Sequence, residues 1–416
     1  MSVSHSIAAR PPRAAAFWFI LITVALDMLA LGIVIPVLPK LVEGMLAGDT
    51  AAAARVYGWF GFTWAFMQFV CSPLIGALSD RFGRRPIVLL SNFGLGVDYL
   101  VMALAPSVRW LLFGRMVSGM FAASISTAYA YIADVSPVDE RAGRFGYLGA
   151  AFGLGFVLGP ALGGYLGGID HRLPFFVAAG LSLLNAGYGF FVLPESLPPE
   201  RRDRFRWARA NPLASLRLLR AHAELLGLAA VLGLMHLAHF ALPSTMVLYA
   251  GYRYHWDEPT VGLFLGLVGV FAIIVQGGLV RPLVRRFGER RAALTGILFG
   301  ALGFLVYALA PTGTVLMFGV PLMSLWGLSQ PALQGLMSAR LGPDEQGKLQ
   351  GANTSLMGLA GLFGPLLFTT AFALAIGGGT SFQLPGAPMW LATLLLLAAF
   401  GLALRVAKPA TLSGSA

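Results

Sequence analysis

The sequence predicts an all-α polytopic membrane protein, in which twelve transmembrane helices form two pseudo-symmetric six-helix bundles. Three observations support this fold class. Of the 416 residues, 57% are hydrophobic and 11% are charged, whereas an average soluble domain carries about 25% charged residues. Apolar runs of about 20 residues, long enough to cross a bilayer as helices, recur along the whole chain. Short motifs of the first half also return in the second half. The composition excludes an ordinary soluble enzyme, a disordered chain and a coiled coil, and the continuous runs argue against a β-barrel.

The apolar runs define twelve predicted spans. They cover residues 17–39, 57–78, 87–106, 109–132, 146–168, 173–193, 224–249, 260–284, 292–310, 314–338, 349–377 and 388–406. An even number of spans places both termini on one side. The loops on that side hold 23 of the 29 Lys and Arg residues, and those on the other side hold Lys40, Arg55, Arg109, Arg172 and Arg253. Because cytoplasmic loops are enriched in Lys and Arg, we expect both termini in the cytoplasm.

A polar stretch at 194–223 divides the spans six and six and carries seven arginines. The sequence therefore predicts an N-terminal bundle at 1–193, a cytoplasmic central linker at 194–223 and a C-terminal bundle at 224–416. The simplest interpretation of the linker is a solvated segment with an amphipathic part on the membrane surface.

Four short matches relate the two halves. ALAP at 103–106 returns at 308–311, RFG at 81–83 returns at 286–288, GP at 159–160 returns at 364–365, and Asp139-Glu140 is echoed by Asp344-Glu345. All four pairs lie 205 residues apart. Two related bundles in parallel arrangement are typical of secondary transporters, whose substrate site lies near the bilayer midplane between the halves.

No catalytic chemistry is visible in the sequence. It contains no phosphate-binding loop, no H-E-x-x-H, no G-x-S-x-G and no Cys/His ligand spacing, and its single Cys71 excludes an internal disulfide. The basic loops lack the interleaved aromatics that stack on nucleic acid. We therefore expect no enzyme activity, no cofactor, no bound metal and no nucleic-acid partner. Transport would be driven by an ion gradient, or the substrate would simply equilibrate.

The turn after span 2 reads GALSDRFGRRP at 76–86. Gly83 permits an unusual backbone angle, and Pro86 suits the first turn of the next helix. Asp80 is an acid among positive charges, so we expect it to pair with Arg84 or to lie at a helix N-terminus. Membrane topology alone would explain the arginines but not Asp80. In the second half the position of Asp80 is held by Arg285, so the motif is not symmetric.

Three charged residues fall inside predicted spans. Asp27 lies about ten residues, or about 15 Å, inside span 1. Asp98 in span 3 lies about as deep, and Arg115 falls within span 4. Such charges are costly in a bilayer unless they are paired or wet, and a carboxylate near an arginine can take up and release a proton as a cavity opens to either side. The alternative is a static salt bridge that holds helices together.

Span 5 carries glycines four residues apart. They allow another helix to approach closely, and Pro160 is expected to kink the span. The relevant residues are Gly155, Gly159, Pro160, Gly163 and Gly164. A plain packing groove is the alternative to a role in transport. In the second half, Gln330, Gln334 and Asn353 either line a cavity or make hydrogen bonds between helices.

These strings resemble known families. Residues 76–86 resemble the signature loop G-x-x-x-D-R-x-G-R-R of the major facilitator superfamily, and the span 5 string G-x-x-x-G-P-x-x-G-G resembles the antiporter motif of drug/proton exporters. Further strings resemble the tetracycline/H⁺ antiporter branch over essentially the whole chain, among them LDMLALGIVIPVLP, GRMVSGMFAASISTAYAYIADVS, LPESLPPERR and LSQPALQGLMSARLGPDEQGKLQG.

The resemblance implies export of a tetracycline–divalent metal chelate in exchange for a proton, across the inner membrane of a bacterium. The metal would travel with the drug, and the partners would be small-molecule drugs, protons and the lipid bilayer, with no obligate protein partner. Asp27 and Asp98, assisted by Arg115, would be the intramembrane coupling residues, and Gln276 the glutamine of span 8. A cytoplasmic latch is implied for Gly76, Asp80, Arg81, Gly83, Arg84, Arg85 and Asp134.

One departure affects the substrate. Tetracycline exporters commonly have a histidine four residues before the span 8 glutamine, where this chain has Ala272. His236 and His239 in span 7 could substitute for it, or they could be packing residues. The alternatives are therefore a multidrug exporter of other substrates and a small-metabolite importer of the same fold. A receptor or membrane-embedded enzyme would need a soluble domain or a catalytic constellation, and the sequence contains neither.

Overall fold

The structure, a computed structural model, describes residues 13–122, 125–137, 140–202, 218, 222–342, 345–377 and 383–407. These residues contain twelve helices long and apolar enough to span a membrane. We label them α1 Ala16–Met45, α2 Thr50–Phe82, α3 Arg84–Ala103, α4 Val108–Val135, α5 Gly143–Ile169, α6 Leu173–Val192, α7 Leu225–Tyr254, α8 Glu258–Phe287, α9 Glu289–Leu309, α10 Gly313–Ser338, α11 Gln346–Ile376 and α12 Ala387–Val406. The predicted fold class and the number of spans are confirmed.

Several of these helices are interrupted. α1 breaks between Arg13–Val34 and Leu38–Met45, where prolines remove backbone donors, and α7 breaks between Ala223–His239 and Ala241–Tyr254. α8 contains a π-helical segment at Ile274–Leu279, and α10 contains a 3₁₀ segment at Leu325–Leu328. The π segment of α8 and the 3₁₀ segment of α10 contact each other, so the two irregular stretches of backbone lie side by side in the second half.

Two predicted boundaries were wrong. α2 begins at Thr50, seven residues before the predicted start, because Asp49 caps it by accepting a hydrogen bond from the Ala52 amide at 2.9 Å. The first span extends six residues past its predicted end, to Met45, through the short helical segment Leu38–Met45. Most of the predicted linker, including any amphipathic segment, lies outside the described residues, as do Asp139 and Asp344. Pro199–Arg201 forms a 3₁₀ turn at the start of the linker.

The outer surface of the helices is apolar. Large side chains are exposed there, among them Phe191 at 85%, Phe318 at 78% and Leu184 at 71%. So much apolar surface would promote aggregation in water, whereas lipid tails solvate it. The exposed surface therefore agrees with a multi-pass membrane protein.

Contacts between the first six and the last six helices are concentrated in two pairs, α5 with α8 and α2 with α11. The two pairs correspond under the sequence repeat. In the first pair the Pro160 carbonyl faces Gly262, and a Cβ on that glycine would lie 2.6 Å from the carbonyl oxygen. In the second pair the Pro365 ring packs on Gly61, where a Cβ would lie 2.6 Å from the proline Cβ. Both pairs therefore need a glycine opposite a proline.

The two halves touch at one end of the bundle and separate at the other. We call the end near Arg81–Arg85 and Arg141 the arginine-rich end. Along α5, Gly164 and Gly153 contact α8, whereas an added Cβ at Gly149, Gly146 or Gly143 would meet no described atom of another helix within 4 Å. The same holds for the arginine-rich ends of the other three interface helices, judged from Gly76, Gly277, Gly278 and Gly347. The space between the halves therefore opens at the arginine-rich end.

Candidate functional site

Asp27 is held by hydrogen bonds from α6 and α3. The Asn185 amide nitrogen donates to Asp27 Oδ1 at 3.0 Å and to the Thr23 carbonyl at 2.8 Å. With the Asn92 amide oriented to satisfy both neighbours, its nitrogen donates to Asp27 Oδ2 at 2.9 Å and its oxygen accepts from Asn185 Nδ2 at 3.1 Å. Both asparagines are fully buried, and Asp27 is partly exposed. Sequence reasoning selected Asp27 but missed both amides.

Asp98 occupies a different environment. It is 2% exposed, and neither carboxylate oxygen has a hydrogen-bond partner among the described residues. The predicted partner Arg115 interacts with Asp98 at longer range without an ion pair within 4 Å in the described part of the chain, and its guanidinium lies 5.8 Å from the Trp64 ring centroid. The expected contact pair is therefore not formed in this conformation.

Arg84 is the centre of the turn between α2 and α3. Its side chain contacts Asp80 Oδ1 at 2.5 Å, Asp134 Oδ2 at 3.1 Å and Ser79 Oγ at 2.7 Å. Gly83 links the two helices with φ +105°, a conformation that L side chains rarely adopt. One arginine thus joins the ends of α2, α3 and α4.

The remaining residues of the predicted latch lie at the edge of this cluster. Arg85 donates to the Phe190 carbonyl at 2.5 Å, which ties α3 to α6. Arg81 is exposed, with its guanidinium 5.1 Å from the Phe82 ring centroid. A Cβ added at Gly76 would meet no described atom of another helix within 4 Å. The geometry therefore places Arg84, Asp80 and Asp134 together and leaves Arg81 and Gly76 outside the ion-pair network.

The start of the linker is docked on the same cluster, which the sequence did not suggest. Glu195 accepts from the Arg84 backbone N–H at 2.9 Å and from the Leu197 N–H at 3.0 Å. Because this bond satisfies an N–H of the first turn of α3, Glu195 caps that helix from 111 residues away. Ser196 also donates to Asp134 at 3.2 Å. The only sequence signal for the role of Glu195 was an acid beside a basic loop.

The glycines of α5 serve two neighbours. An added Cβ would lie 2.5 Å from Met28 Cβ at Gly155, 2.6 Å from Gly32 Cα at Gly159 and 2.0 Å from the Ile33 oxygen at Gly163. All three contacts are with α1. Gly164 faces α8, where a Cβ would lie 2.4 Å from the Glu258 oxygen. The motif therefore forms a packing groove for α1 and, on another face, part of the interface between the halves.

Polar residues of the second half are less closely connected. His236 is 8% exposed, and the His239 ring lies 5.9 Å from the Trp326 ring centroid. Gln276 is exposed in the π segment of α8 and approaches Gly327 of α10. Asn353 is 4% exposed, and neither of its amide atoms has a hydrogen-bond partner among the described residues.

Gln330 is exposed and Gln334 is half-buried, both on α10. Within the described chain no group of three or more His, Cys, Asp or Glu is arranged to hold a metal ion. The second half therefore offers aromatic and neutral hydrogen-bonding groups, whereas the ionisable cluster lies in the first half.

Twelve spanning helices in two related sets, joined at one end and apart at the other, define a membrane carrier. The model of the Major Facilitator Superfamily matches residues 20–365. Two curated relatives are similar over most of their length. The tetracycline resistance protein, class C, of Escherichia coli is 38% identical over 85% of this chain and 89% of that protein. The tetracycline resistance protein, class G, of Vibrio anguillarum is 38% identical over 86% of this chain and 90% of that protein.

A solved structure supports the fold. A bacterial homologue of the human lysosomal transporter Spinster, in an inward-facing and unoccupied conformation, superposes with a TM-score of 0.76 at 15% identity, covering 96% of this chain and 97% of that one. The chain belongs to the major facilitator superfamily, within the branch of the tetracycline resistance proteins. Members of this superfamily are carriers of small molecules.

Proposed function

We propose that this protein is a proton-coupled exporter of amphipathic drugs, with tetracycline as its metal chelate the first substrate to test. One observation carries the proposal: a carboxylate, Asp27, lies partly exposed inside a spanning helix of a chain that is 38% identical to a tetracycline resistance protein. An acid inside a spanning helix is costly unless it is paired or reached by water, and proton exchange is a function that such acids commonly serve.

The orientation of the protein in the membrane follows from the charge asymmetry. By the positive-inside rule the arginine-rich end faces the cytoplasm, and both termini lie on that side. The similarity to tetracycline resistance proteins of bacteria supports the bacterial inner membrane as the location. The conformation described above then opens to the cytoplasm, which is where an exporter loads its drug. Closing the arginine-rich end and opening the opposite one would release the drug outside, with the α5–α8 and α2–α11 pairs as the surfaces that separate.

The two halves contribute differently. Asp27 exchanges the proton, and Asp98 and Arg115 adjust its electrostatic surroundings from α3 and α4. His239, Gln276, Gln330, Gln334 and Asn353 are proposed to face the drug from the second half. The protein carries no cofactor and no resident metal, catalyses no chemical reaction and needs no protein partner, and the divalent metal is cargo bound to the drug.

The specific substrate requires a direct test because Ala272 replaces the histidine common in tetracycline exporters. Export of other amphipathic drugs by the same mechanism is the second candidate. Bacteria that lack their own drug pumps would express the protein, and cell-associated tetracycline would be measured with and without a protonophore.

We expect expression to lower tetracycline accumulation and the protonophore to restore it. Each charge that crosses the membrane gains about 2.3 kcal/mol per 100 mV, so loss of coupling should abolish uphill export. Asp27→Asn, expressed to the same level, should behave like the protonophore-treated cells. If tetracycline accumulation were unchanged while accumulation of another drug fell, tetracycline would be rejected as the substrate. Export that is insensitive to the protonophore would reject proton coupling.

A further inference from the structure

We propose that Asn92 and Asn185 are positioning residues that favour the charged form of the Asp27 carboxylate and so set the pH at which this acid exchanges its proton. The proposal rests on the proton-coupling role given to Asp27 above. Asn92 and Asn185 are neutral and belong to none of the sequence motifs, yet they would directly influence proton exchange at Asp27.

The geometry of the cluster supports this role. Asp27 receives N–H donors from two helices, at 3.0 Å from Asn185 and 2.9 Å from Asn92. The Asn92 oxygen lies 3.1 Å from the Asn185 amide nitrogen, which shares its two N–H groups among this oxygen, Asp27 Oδ1 and the Thr23 carbonyl. In this arrangement each of the two carboxylate oxygens faces an N–H donor. Donors directed at a carboxylate favour its charged form over its protonated form.

Burial makes these bonds strong and directional. Both asparagines are 0% exposed, so water does not compete for their amides. Asp27 itself is partly exposed, so a proton can reach it. A buried amide is costly unless it is hydrogen-bonded, and the nitrogens of both asparagines meet this requirement by donating to Asp27.

Other ionisable groups surround the cluster. Tyr99 and Asp98 lie on α3 and Arg115 on α4, all within electrostatic reach of one another, and Asp27 interacts with Tyr99. The face of α5 against this part of α1 consists of glycines such as Gly155 and Gly159. The asparagines are therefore the groups that contact Asp27 directly, and the charged residues act from farther away.

The repeat indicates that the scaffold tolerates an apolar residue at one of these positions. Ile297 on α9 lies 205 residues after Asn92, at the offset that relates α3 to α9, and it is 0% exposed. Asn92→Leu should therefore fold. Asn185→Leu also removes the bond to the Thr23 carbonyl, so it is the more disruptive of the two.

The test measures protonation of Asp27 without relying on transport. Dicyclohexylcarbodiimide reacts with protonated carboxyl groups. The acid proton moves to a carbodiimide nitrogen and the acid oxygen bonds to the central carbon, and the O-acylisourea then rearranges to a stable N-acylurea. Purified full-length protein would be labelled across a pH series, and the adduct on the Asp27 peptide quantified by mass spectrometry.

Labelling should fall as pH rises, because the carboxylate does not react. In Asn92→Leu and in Asn185→Leu the pH of half-maximal labelling should rise by about one to two units, since a hydrogen bond to a charged group is worth about 1.5–3 kcal/mol and one unit about 1.4 kcal/mol. Ser182→Ala is the matched control, because Ser182 is a buried polar residue one turn from Asn185 on α6 and its hydroxyl has no partner among the described residues. It should leave the profile unchanged.

Profiles of both asparagine variants that superpose on the wild-type curve would overturn the inference, as would an equal shift in Ser182→Ala. Asn92→Leu decides alone if Asn185→Leu does not fold. The proposed function is judged separately by protonophore-sensitive export, so a protein that labels as expected but does not export would reject only that function.

Discussion

Gly164→Ala should shift the protein away from the conformation described here. A Cβ at this position would lie 2.4 Å from the Glu258 carbonyl oxygen and 2.8 Å from Gly262 Cα, both backbone atoms of α8 that cannot move independently. Gly164 belongs to the first half and α8 to the second, so the clash exists only while the opposite end is closed. An added methyl in a well-packed interface costs about 1–3 kcal/mol. The ratio of molecules whose opposite end is closed to molecules whose opposite end is open should therefore fall by a factor of about 5 to 150.

The assay compares two alanine variants on one helix. Spin labels are attached at Ala47→Cys and Gln383→Cys in a Cys71→Ser background. The distance between them, measured by pulsed electron–electron double resonance, reports the separation of the halves at the opposite end. Gly164→Ala should increase the population with long distances, and drug transport should slow because one conformation is penalised. Gly149→Ala should leave both unchanged, since a Cβ there meets no described atom of another helix. Identical distance distributions for Gly164→Ala and wild type would refute the reasoning.

Two further predictions concern the arginine-rich end. Asp80→Asn should slow transport about fivefold and leave drug affinity in purified protein within twofold, because its pair with Arg84 lies at the helix ends and is worth about 1 kcal/mol when partly exposed; equal losses of binding and transport would contradict a role confined to the conformational step. Glu195→Ala should lower the thermal unfolding midpoint, since it removes the cap of α3 at a cost of about 1 kcal/mol, whereas Glu195→Gln keeps an acceptor for the Arg84 N–H and should stay near wild type. Equal midpoints for the alanine and glutamine variants would argue against capping.

The fold was predictable because a bilayer imposes a simple requirement on sequence. Each span must be apolar for about 20 residues, and the constant 205-residue offset exposed the repeat. The ends of the spans were not predictable from apolarity alone. Residues 50–56 are alanine-rich and capped by Asp49, and Leu38–Met45 carries Lys40 and Glu43, which contact each other at 3.1 Å. Local capping and pairing extend these helices beyond their apolar parts.

The candidate site was predictable only where a residue was unusual for its surroundings. Asp27, Asp98 and Arg115 are charges inside apolar runs, and such charges are rare enough to be noticed. Asn92 and Asn185 are neutral, and their importance depends on contacts between α1 and helices far along the chain. Glu195 lies in an apparent linker, and its partner is 111 residues away. Long-range geometry of this kind leaves no local pattern in a single sequence.

Comparison of the two halves separates what the fold needs from what the site needs. The turns at Gly83 and Gly288 have φ +105° and +80°, and they lie 205 residues apart, so the backbone geometry is repeated. The polar cluster is not repeated. At the same offset, Asp98 corresponds to Gly303 and Arg115 to Val320, which is 0% exposed.

The second half therefore builds α9 and α10 with small or apolar residues where α3 and α4 carry charges. Burying a charge in a membrane costs several kcal/mol unless it is compensated, and the second half shows that this scaffold folds without that expense. The architecture of α9 and α10 thus does without the charges that α3 and α4 carry. Their retention on α3 and α4, next to a partly exposed acid on α1, is best explained by the proton exchange that would drive export.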